Sequence, residues 1–196
     1  MTSTPLRPIT STSPRQPGDL TRRQYIERLI RVNQAGEYGA KRIYQGQIDV
    51  LRRRHDPESR HALQLVTHMA EQEQEHLDGF NAKIVERRVR PTLMTPVWHL
   101  GGYAMGALTA MLGTKAAMAC TVAVESVIDQ HYAEQLAELG DEEPELRTMI
   151  HQYREDELEH HDTGLEQGAE QAPAYPVLLG AVKTATRAAI WLSKRI

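Results

Sequence analysis

Apolar residues recur at helical spacing along most of the chain, and no segment alternates between apolar and polar residues for the length of a strand. The pattern therefore predicts an all-α protein. Thr21 and Gln24 have the spacing of an N-terminal capping box, and Pro57 suits the first position of a second helix. Six helices are predicted, with a loop from Gly168 to Tyr175: Arg22 to about Arg54, Pro57 to about Arg88, Pro96 to Leu112, Lys115 to Leu139, Pro144 to Gln167 and Pro176 to Ile196.

The first 18 residues do not share this pattern. They contain four Pro, no acidic residue and only Arg7 and Arg15 as charges, so they cannot bury much apolar surface. We predict a disordered tail over residues 1–18 and a single domain over residues 19–196. A remnant of a mitochondrial targeting sequence is the alternative for the tail, because such sequences are also rich in Ser and poor in acids. No secretory signal is visible.

Two of the predicted helices carry the same motif, Glu-x-Glu-x-Glu-His-x-Asp, 84 residues apart. The motif begins at Glu71 in the second helix and at Glu155 in the fifth. Three residues of the first helix also recur 88 residues later in the fourth: Glu37 as Glu125, Tyr44 as Tyr132 and Gln47 as Gln135. Two matching helical hairpins predict a four-helix bundle with pseudo-twofold symmetry.

Composition narrows the chemistry that such a bundle can support. The chain of 196 residues has 26 acidic and 23 basic side chains, and its net charge of −3 argues against nucleic-acid binding. A single cysteine, Cys120, excludes an internal disulfide framework and any metal cage built from Cys. Any bound metal must therefore be held by His and carboxylate side chains.

The repeat selects six such side chains. Residues three apart on a helix share a face, so each Glu-x-x-His pair can reach one point. One Glu from each of two helices and Glu-x-x-His from each of the other two is the ligand set of di-iron and di-manganese bundles. Two divalent cations also balance four carboxylates, which are costly to bury unpaired. The candidate ligands are Glu37, Glu73, His76, Glu125, Glu157 and His160.

The remaining acidic and His residues of these helices are interpreted without a metal role. Glu58 and His61 have the Glu-x-x-His spacing, but they belong to a charged first helical turn with no upstream partner. Cys120 is interpreted as a small core residue. Solvent exposure is expected for six acidic residues: Glu71, Glu75, Asp78, Glu155, Glu159 and Asp162.

His131 follows Glu125 by almost two helical turns, and two interpretations of it stay open. It could lie close to the metals and transfer protons, since His titrates near neutral pH. It could equally be a hydrogen-bonded His of the core.

Several long blocks of the chain closely resemble the Coq7 family of demethoxyubiquinone hydroxylases. The similarity covers about Arg22 to Ile196. Its clearest blocks are Ile30 to Tyr44, Arg88 to Thr92, Ala117 to Glu125, Glu157 to Asp162 and Ala172 to Tyr175. The resemblance implies a ferritin-like fold with a non-haem di-iron centre and additional membrane-interacting helices.

The resemblance also implies how the six ligands are shared. Glu73 and Glu157 would bridge the two irons. The first iron would be held by Glu37, Glu73, His76 and Glu157, and the second by Glu73, Glu125, Glu157 and His160. His131 falls where the family has a His near the site.

The implied reaction is hydroxylation of the ring of a polyprenylated demethoxyubiquinol by O₂, a monooxygenase reaction of ubiquinone biosynthesis. Relatives take electrons from NADH, and Arg28 and Arg195 match positions implicated in that step. Trp191 departs from the Tyr that relatives can have at its position. Implied partners are the quinone, a membrane surface and other ubiquinone-biosynthesis proteins; a homo-oligomer stays open.

The sequence also contains segments suited to a membrane surface. Residues 91–114 carry no formal charge, but they include two Pro and four Gly, which favours a helix lying in the interface over a spanning one. On the last helix, Lys183, Arg187 and Lys194 form a basic stripe opposite an apolar arc. We predict a peripheral protein on the cytoplasmic side of a bacterial membrane, with the matrix side of the mitochondrial inner membrane as the alternative.

Two other functions stay open at this point. A ferritin-like iron-storage or peroxidase protein would use the same ligands, although storage requires assembly into a cage. A metal-free helical interaction module would need none of them.

Overall fold

The computed structural model describes residues 19–196, so the tail predicted over residues 1–18 lies outside the described residues. The described part is all-α, with no strand, as the sequence predicts. One short 3₁₀ turn, Ala169–Gln171, occupies the predicted loop before the last helix. The six helices are α1 (Arg22–Leu51), α2 (Pro57–Glu86), α3 (Thr95–Met111), α4 (Thr114–Leu139), α5 (Pro144–Glu166) and α6 (Tyr175–Ser193).

The helix starts follow the expected local chemistry. Thr21 accepts a hydrogen bond from the backbone of Gln24, whose side chain accepts one in return, which completes the capping box. At the start of α2, Asp56 accepts from the backbone of Ser59 and Pro57 occupies the first turn. Most predicted boundaries therefore lie within a few residues of the observed ones.

Two helices end earlier than predicted because their last turns change hydrogen-bond pattern. After Leu51, the backbone N–H of Arg54 donates to the carbonyl of Leu51, three residues back. After Glu86, Arg88 has a φ of 53°, and the N–H of Val89 closes onto the carbonyl of Ile84. This is a Schellman ending with Arg where Gly is usual, so the sequence carries no sign of it.

Helices α1, α2, α4 and α5 form the ferritin-like four-helix bundle, with α1 packed on α2 and α4 packed on α5. The two remaining helices are added to the outside, α3 against α1 and α6 against α4. Each half of the repeat is thus a hairpin followed by one covering helix. Glycines bring α1 and α3 into backbone contact, since a Cβ on Gly106 would collide with the Ile43 carbonyl and one on Gly46 with that of Tyr103.

No helix of the described chain combines the length and the hydropathy needed to cross a membrane.

Candidate metal centre

Four carboxylates and two imidazoles meet in the middle of the bundle. They come from α1, α2, α4 and α5, and each is at most 2% exposed. They form two groups in which one ligand atom from each residue lies within 4.8 Å of all the others. The groups are Glu37, Glu73, His76 and Glu157, and Glu73, Glu125, Glu157 and His160.

Glu73 and Glu157 belong to both groups and lie between the two His side chains. The Nδ1 atom of His160 is 3.4 Å from Glu73 Oε1 and 3.4 Å from Glu157 Oε2. The Nδ1 atom of His76 is 3.5 Å from Glu157 Oε1. The geometry thus brings together all six predicted ligands, with the two shared carboxylates in the positions that bridging would need.

Eight atoms of the six side chains have no hydrogen-bond partner among the described residues. Buried polar atoms are normally hydrogen-bonded, and an unpaired buried group is costly. A pair of divalent cations would satisfy this set, so the residues present fit a dinuclear metal centre. The unpaired atoms are Glu37 Oε2, Glu125 Oε2, both carboxylate oxygens of Glu73 and Glu157, and the Nδ1 atoms of His76 and His160.

The remaining atoms of these side chains are held by partners from neighbouring helices. The Tyr44 hydroxyl donates to Glu125 Oε1 at 2.6 Å, and the Tyr132 hydroxyl donates to Glu37 Oε1. Each hydroxyl thus reaches from one half of the repeat to the Glu of the other half. Both tyrosines belong to the sequence repeat, which by itself indicates no role for them.

Both His rings are oriented through their Nε2 atoms. His76 Nε2 lies 3.0 Å from Asp156 Oδ2, and His160 Nε2 lies 3.0 Å from Gln72 Oε1. Both partners are acceptors, so a neutral ring would keep its proton at Nε2 and present Nδ1 to a cation. Asp156 and Gln72 were not predicted from the sequence, although they occupy equivalent positions 84 residues apart.

Without cations, the centre retains protons. Burial and the neighbouring carboxylates raise the pKa values of Glu73 and Glu125 well above their usual range. Burial opposes charge on His76, but Glu157 and Glu37 outweigh it and raise the pKa of His76 to about 12. Burial likewise opposes ionisation of Glu157, yet His160 and His76 lower its pKa to about 2. Protons thus take the place of part of the positive charge that the carboxylates require.

An apolar cavity of about 250 Å³ lies beside Glu37, between α1, α3, α4 and α6. None of the other five candidate ligands lines it. Six polar side chains are part of its wall: Asn33, Glu37, His131, Tyr132, Thr186 and Ser193. Most of the wall is apolar: Val32, Ala35, Ala40, Ile43, Val97, Trp98, Met105, Val124, Ile128, Ala185, Ala189 and Ile190.

Two glycines contribute to the open space on the Glu37 side. Gly36 and Gly39 line it, and a Cβ added at either would meet no atom within 4 Å. In the other half of the repeat, the equivalent positions are Val124 and Val127. The two halves therefore share ligands but differ in the space beside them.

His131 is 9% exposed and lines the cavity. The Gln135 amide donates to its Nε2 at 2.7 Å, and Gln135 also pairs with Asn33. Burial and the charge of Lys194 lower the pKa of His131 to about 3, so the ring is neutral at physiological pH. His131 is thus a hydrogen-bonded core residue; its role in proton transfer stays a prediction.

Arg28 and Arg195 lie near each other at the surface. Burial and the charges of Arg195 and Arg31 lower the pKa of Arg28. The guanidinium of Arg195 is 3.8 Å above the ring of Trp191, a cation–π contact. The structure therefore places both predicted reductant-binding residues in one basic cluster.

The residues interpreted without a metal role lie where sequence analysis expected them. Glu58 and His61 are exposed, and Cys120 is fully buried. The six acidic residues of the repeated motif that were expected at the surface are also exposed: Glu71, Glu75, Asp78, Glu155, Glu159 and Asp162.

Comparison with known proteins points to one family. The model of the family described as ubiquinone biosynthesis protein COQ7 matches residues 24–193. A Rhodospirillum rubrum protein named 3-demethoxyubiquinol 3-hydroxylase is 50% identical over 93% of this chain and 84% of its own length. A human mitochondrial protein named NADPH-dependent 3-demethoxyubiquinone 3-hydroxylase is 47% identical over 89% of this chain and 79% of its own. The yeast 5-demethoxyubiquinone hydroxylase, also mitochondrial, is 42% identical over 88% and 78% respectively.

The pKa shifts of the candidate ligands predict how the protein responds to pH when metal is removed. The raised pKa values of Glu73 and Glu125 mean that folding takes up protons, so stability falls as pH rises above about 4.5. The raised pKa of His76 acts in the same direction. Its contribution to stability is complete below pH 6.5 and is lost as the pH rises toward about 12, the pKa of His76 in the folded protein. The lowered pKa of Glu157 acts in the opposite direction. Its contribution to stability is lost only as the pH falls from 4.5 toward about 2.

In chelator, thermal unfolding should therefore give a Tm that falls from about pH 5 to about pH 8. Glu73→Gln should reduce the fall in the free energy of unfolding by roughly 1 kcal/mol per pH unit, which corresponds to about 2–4 °C in Tm per pH unit. Glu71→Gln is the matched control, since Glu71 is exposed on the same helix. A Tm that stays constant or rises over this range would contradict the prediction.

Proposed function

The chain belongs to the COQ7 family of ubiquinone biosynthesis proteins, and we propose on that premise that it is a monooxygenase that hydroxylates the ring of demethoxyubiquinol. The observation that carries the proposal is the contact between two features. A centre of buried, unpaired carboxylate and imidazole atoms adjoins an apolar cavity through Glu37. A ring placed in the cavity would lie beside the ligands.

The six ligands would hold two irons, shared as in the two groups of the centre. Carboxylate and imidazole donors suit iron in O₂ chemistry, and the absence of any Cys donor fits this class of site. When bound, the iron pair supplies activation of O₂. The protein's own contribution is to hold the ligand atoms in place through Tyr44, Tyr132, Asp156 and Gln72.

The cavity suits one substituted ring. An apolar cavity of about 150 Å³ binds benzene, so about 250 Å³ can take a substituted ring while the prenyl tail extends outward. Its apolar wall would keep water away from the reacting carbon of the ring. Lining residues Val97, Gly101 and Ala185 are partly or fully exposed, so the cavity reaches the surface between α3 and α6.

The polar part of the cavity wall can orient the ring. His131 accepts a hydrogen bond at Nε2, so its proton is on Nδ1 and can be donated to a ring oxygen. Because the pKa of His131 is low, it can take up a proton only briefly during turnover. Tyr132 and Asn33 line the same cavity and offer further hydrogen-bonding groups.

A nicotinamide dinucleotide is the proposed reductant. Arg28 and Arg195, with Lys194 next to them, would contact its phosphates, since a cluster of cations attracts anionic groups. The human relative's name, NADPH-dependent, supports a reductant of this class. The ring of Trp191 is already covered by Arg195, so a nicotinamide would have to compete for that face.

The outer faces of α3 and α6 would contact a membrane. Neither helix contains an acidic residue, and α6 carries Lys183 and Arg187. An exposed apolar patch of this kind marks an interaction site. Its large exposed side chains are Val97, Leu100, Leu108, Met111, Val177 and Trp191, with Leu93, Leu112 and Ile196 beside them.

We place the protein peripherally on the cytoplasmic side of a bacterial membrane, with the mitochondrial matrix side as the alternative. The eukaryotic relatives are named mitochondrial, and the Rhodospirillum relative is bacterial. Other ubiquinone-biosynthesis proteins and a second copy of the chain are further proposed partners. An iron-storage protein would not require an apolar cavity beside one ligand, so the cavity favours the hydroxylase.

The metal ligands should be essential for the reaction. Glu73→Ala and Glu157→Ala, each expressed in a quinone-pathway mutant, should reduce hydroxylated quinone by more than about 100-fold, beyond the loss typical of a group that only supports a ligand. Glu71→Ala and Glu155→Ala are matched controls, exposed on the same two helices, and should keep wild-type product. Product analysis by mass spectrometry decides the matter. Full complementation by a Glu73 or Glu157 variant would show that the ligand assignment is wrong.

Filling the cavity should block the substrate and leave the metals in place. Gly36 lines the cavity, and a Cβ added there would meet no atom within 4 Å, so Gly36→Leu would extend its side chain toward the cavity. We expect at least about a tenfold loss in kcat/KM, an effect of the size that pocket contacts have, with unchanged metal content. Gly180→Leu is the control, because Gly180 is equally open but lies outside the cavity. Wild-type kinetics for Gly36→Leu would exclude this cavity as the substrate site.

Membrane binding should depend on the exposed faces of α3 and α6. The double variant Leu100→Asp with Val177→Asp should lose most of its flotation with phospholipid vesicles, because charged groups are costly in the membrane interior. Leu158→Asp alters a partly exposed Leu of α5 and should float like the wild type. Equal flotation of all three proteins would refute this surface as the contact.

A further inference from the structure

The two halves of the metal centre are alike in their ligands but differ in one charge. His76 is oriented by the carboxylate of Asp156, and His160 by the neutral amide of Gln72, both at 3.0 Å. Asp156 and Gln72 occupy equivalent positions of the repeat. The tyrosine contacts do not distinguish the halves, since each terminal Glu accepts from one Tyr hydroxyl.

We propose that the half formed by Glu37 and His76 binds its metal ion first and more tightly, and that Asp156 is the positioning residue responsible. This proposal depends on one part of the proposed function, namely that the centre binds two metal ions.

Equal distances mean that the two partners orient the rings equally well, so the difference between them is electrostatic. A carboxylate that accepts the Nε2 proton makes Nδ1 a stronger donor to the metal, and it adds a negative charge near the cation. An amide oxygen supplies orientation without charge. Asp156 is 28% exposed, which weakens its effect without abolishing it. The nearby Arg154 pairs with Asp129, which leaves the Asp156 carboxylate to His76.

A second contact holds His76 more firmly than His160. The ring of Tyr153 stacks on His76 with centroids 4.0 Å apart and an interplanar angle of 26°. Phe80 contacts Tyr153 edge-on at 5.6 Å and supports it. For His160, the aromatic contact is an edge contact with Tyr44 at 6.1 Å. A ring that is already fixed loses less conformational freedom when it binds an ion.

The tighter half is also the half beside the cavity. Glu37 is the one candidate ligand in the cavity wall, so the ion bound first would be the one nearest the substrate. The ion of the Glu125 and His160 half would then be the more readily lost.

Titration of the chelator-stripped protein with Mn(II) alone tests the order of binding. Electron paramagnetic resonance distinguishes an isolated Mn(II) from a coupled pair, and equilibrium dialysis gives the two stepwise constants. We expect mainly isolated Mn(II) at one equivalent, and constants at least about tenfold apart, within the range that such supporting groups produce. Two equal and independent steps would overturn the proposal. Failure to bind any Mn(II) would instead count against the dinuclear centre itself.

Substitutions assign the steps to the two halves. Asp156→Asn should weaken the first step by about 10–100-fold and leave the second nearly unchanged. Gln72→Glu should strengthen the second step, and the double variant should reverse the order. Asp162→Asn and Gln64→Glu make the same charge changes at exposed positions of the same helices and should leave both constants unchanged. If Asp156 were needed only for the fold, Asp156→Asn would weaken both steps alike.

Variants of the terminal ligands locate the tight step. It should disappear in Glu37→Ala and persist in Glu125→Ala, because each variant removes a ligand from one half. Helical content by circular dichroism checks that both variants fold. Loss of the tight step in Glu125→Ala, with retention in Glu37→Ala, would assign it to the opposite half and overturn the proposal.

Discussion

The burial of four carboxylates at one point in a helical bundle is the constraint on which the rest of the structure depends. An ionised carboxylate inside a protein must be paired, protonated or bound to a metal. Glu73 and Glu157 have no hydrogen-bond donor from another residue on either oxygen, apart from the imidazoles that share the centre. The Tyr and His contacts that surround the cluster satisfy only the atoms that point away from it. The stability of the bundle therefore depends on cations or protons that neutralise these carboxylates.

The sequence was sufficient to predict the bundle and the six side chains that meet inside it, because both depend on local spacing. A Glu and a His three residues apart share a helix face whatever the tertiary structure, and the repeat supplied the second copy. The residues it missed act between helices. Asp156 reaches His76 across 80 positions of sequence, and Gln72 reaches His160 across 88. Nothing in the local pattern marks such a contact.

The cavity could not be predicted from the sequence either, because it depends on positions that carry no side chain. In the sequence, Gly36 and Gly39 are ordinary small residues of a helix. Only the positions of α3 and α6 in the structure show that the space beside them is open. The end of α2 was predicted too late for a related reason. Arg88 adopts a left-handed conformation that favours Gly, so its residue type does not indicate the end of the helix.

The two covering helices connect the chemistry to the surface. Their outer faces carry the exposed apolar side chains, while inward-facing residues such as Trp98 and Ile190 form the cavity wall. Val97 belongs to both surfaces, since it is half exposed and lines the cavity. A hydrophobic molecule that reached this patch could thus enter the cavity and approach Glu37 without crossing a charged layer. Gly36 and Gly39 line the cavity without adding side-chain volume, whereas the equivalent positions of the other half carry the side chains of Val124 and Val127, so the two halves of a repeated bundle differ in the space beside their candidate ligands.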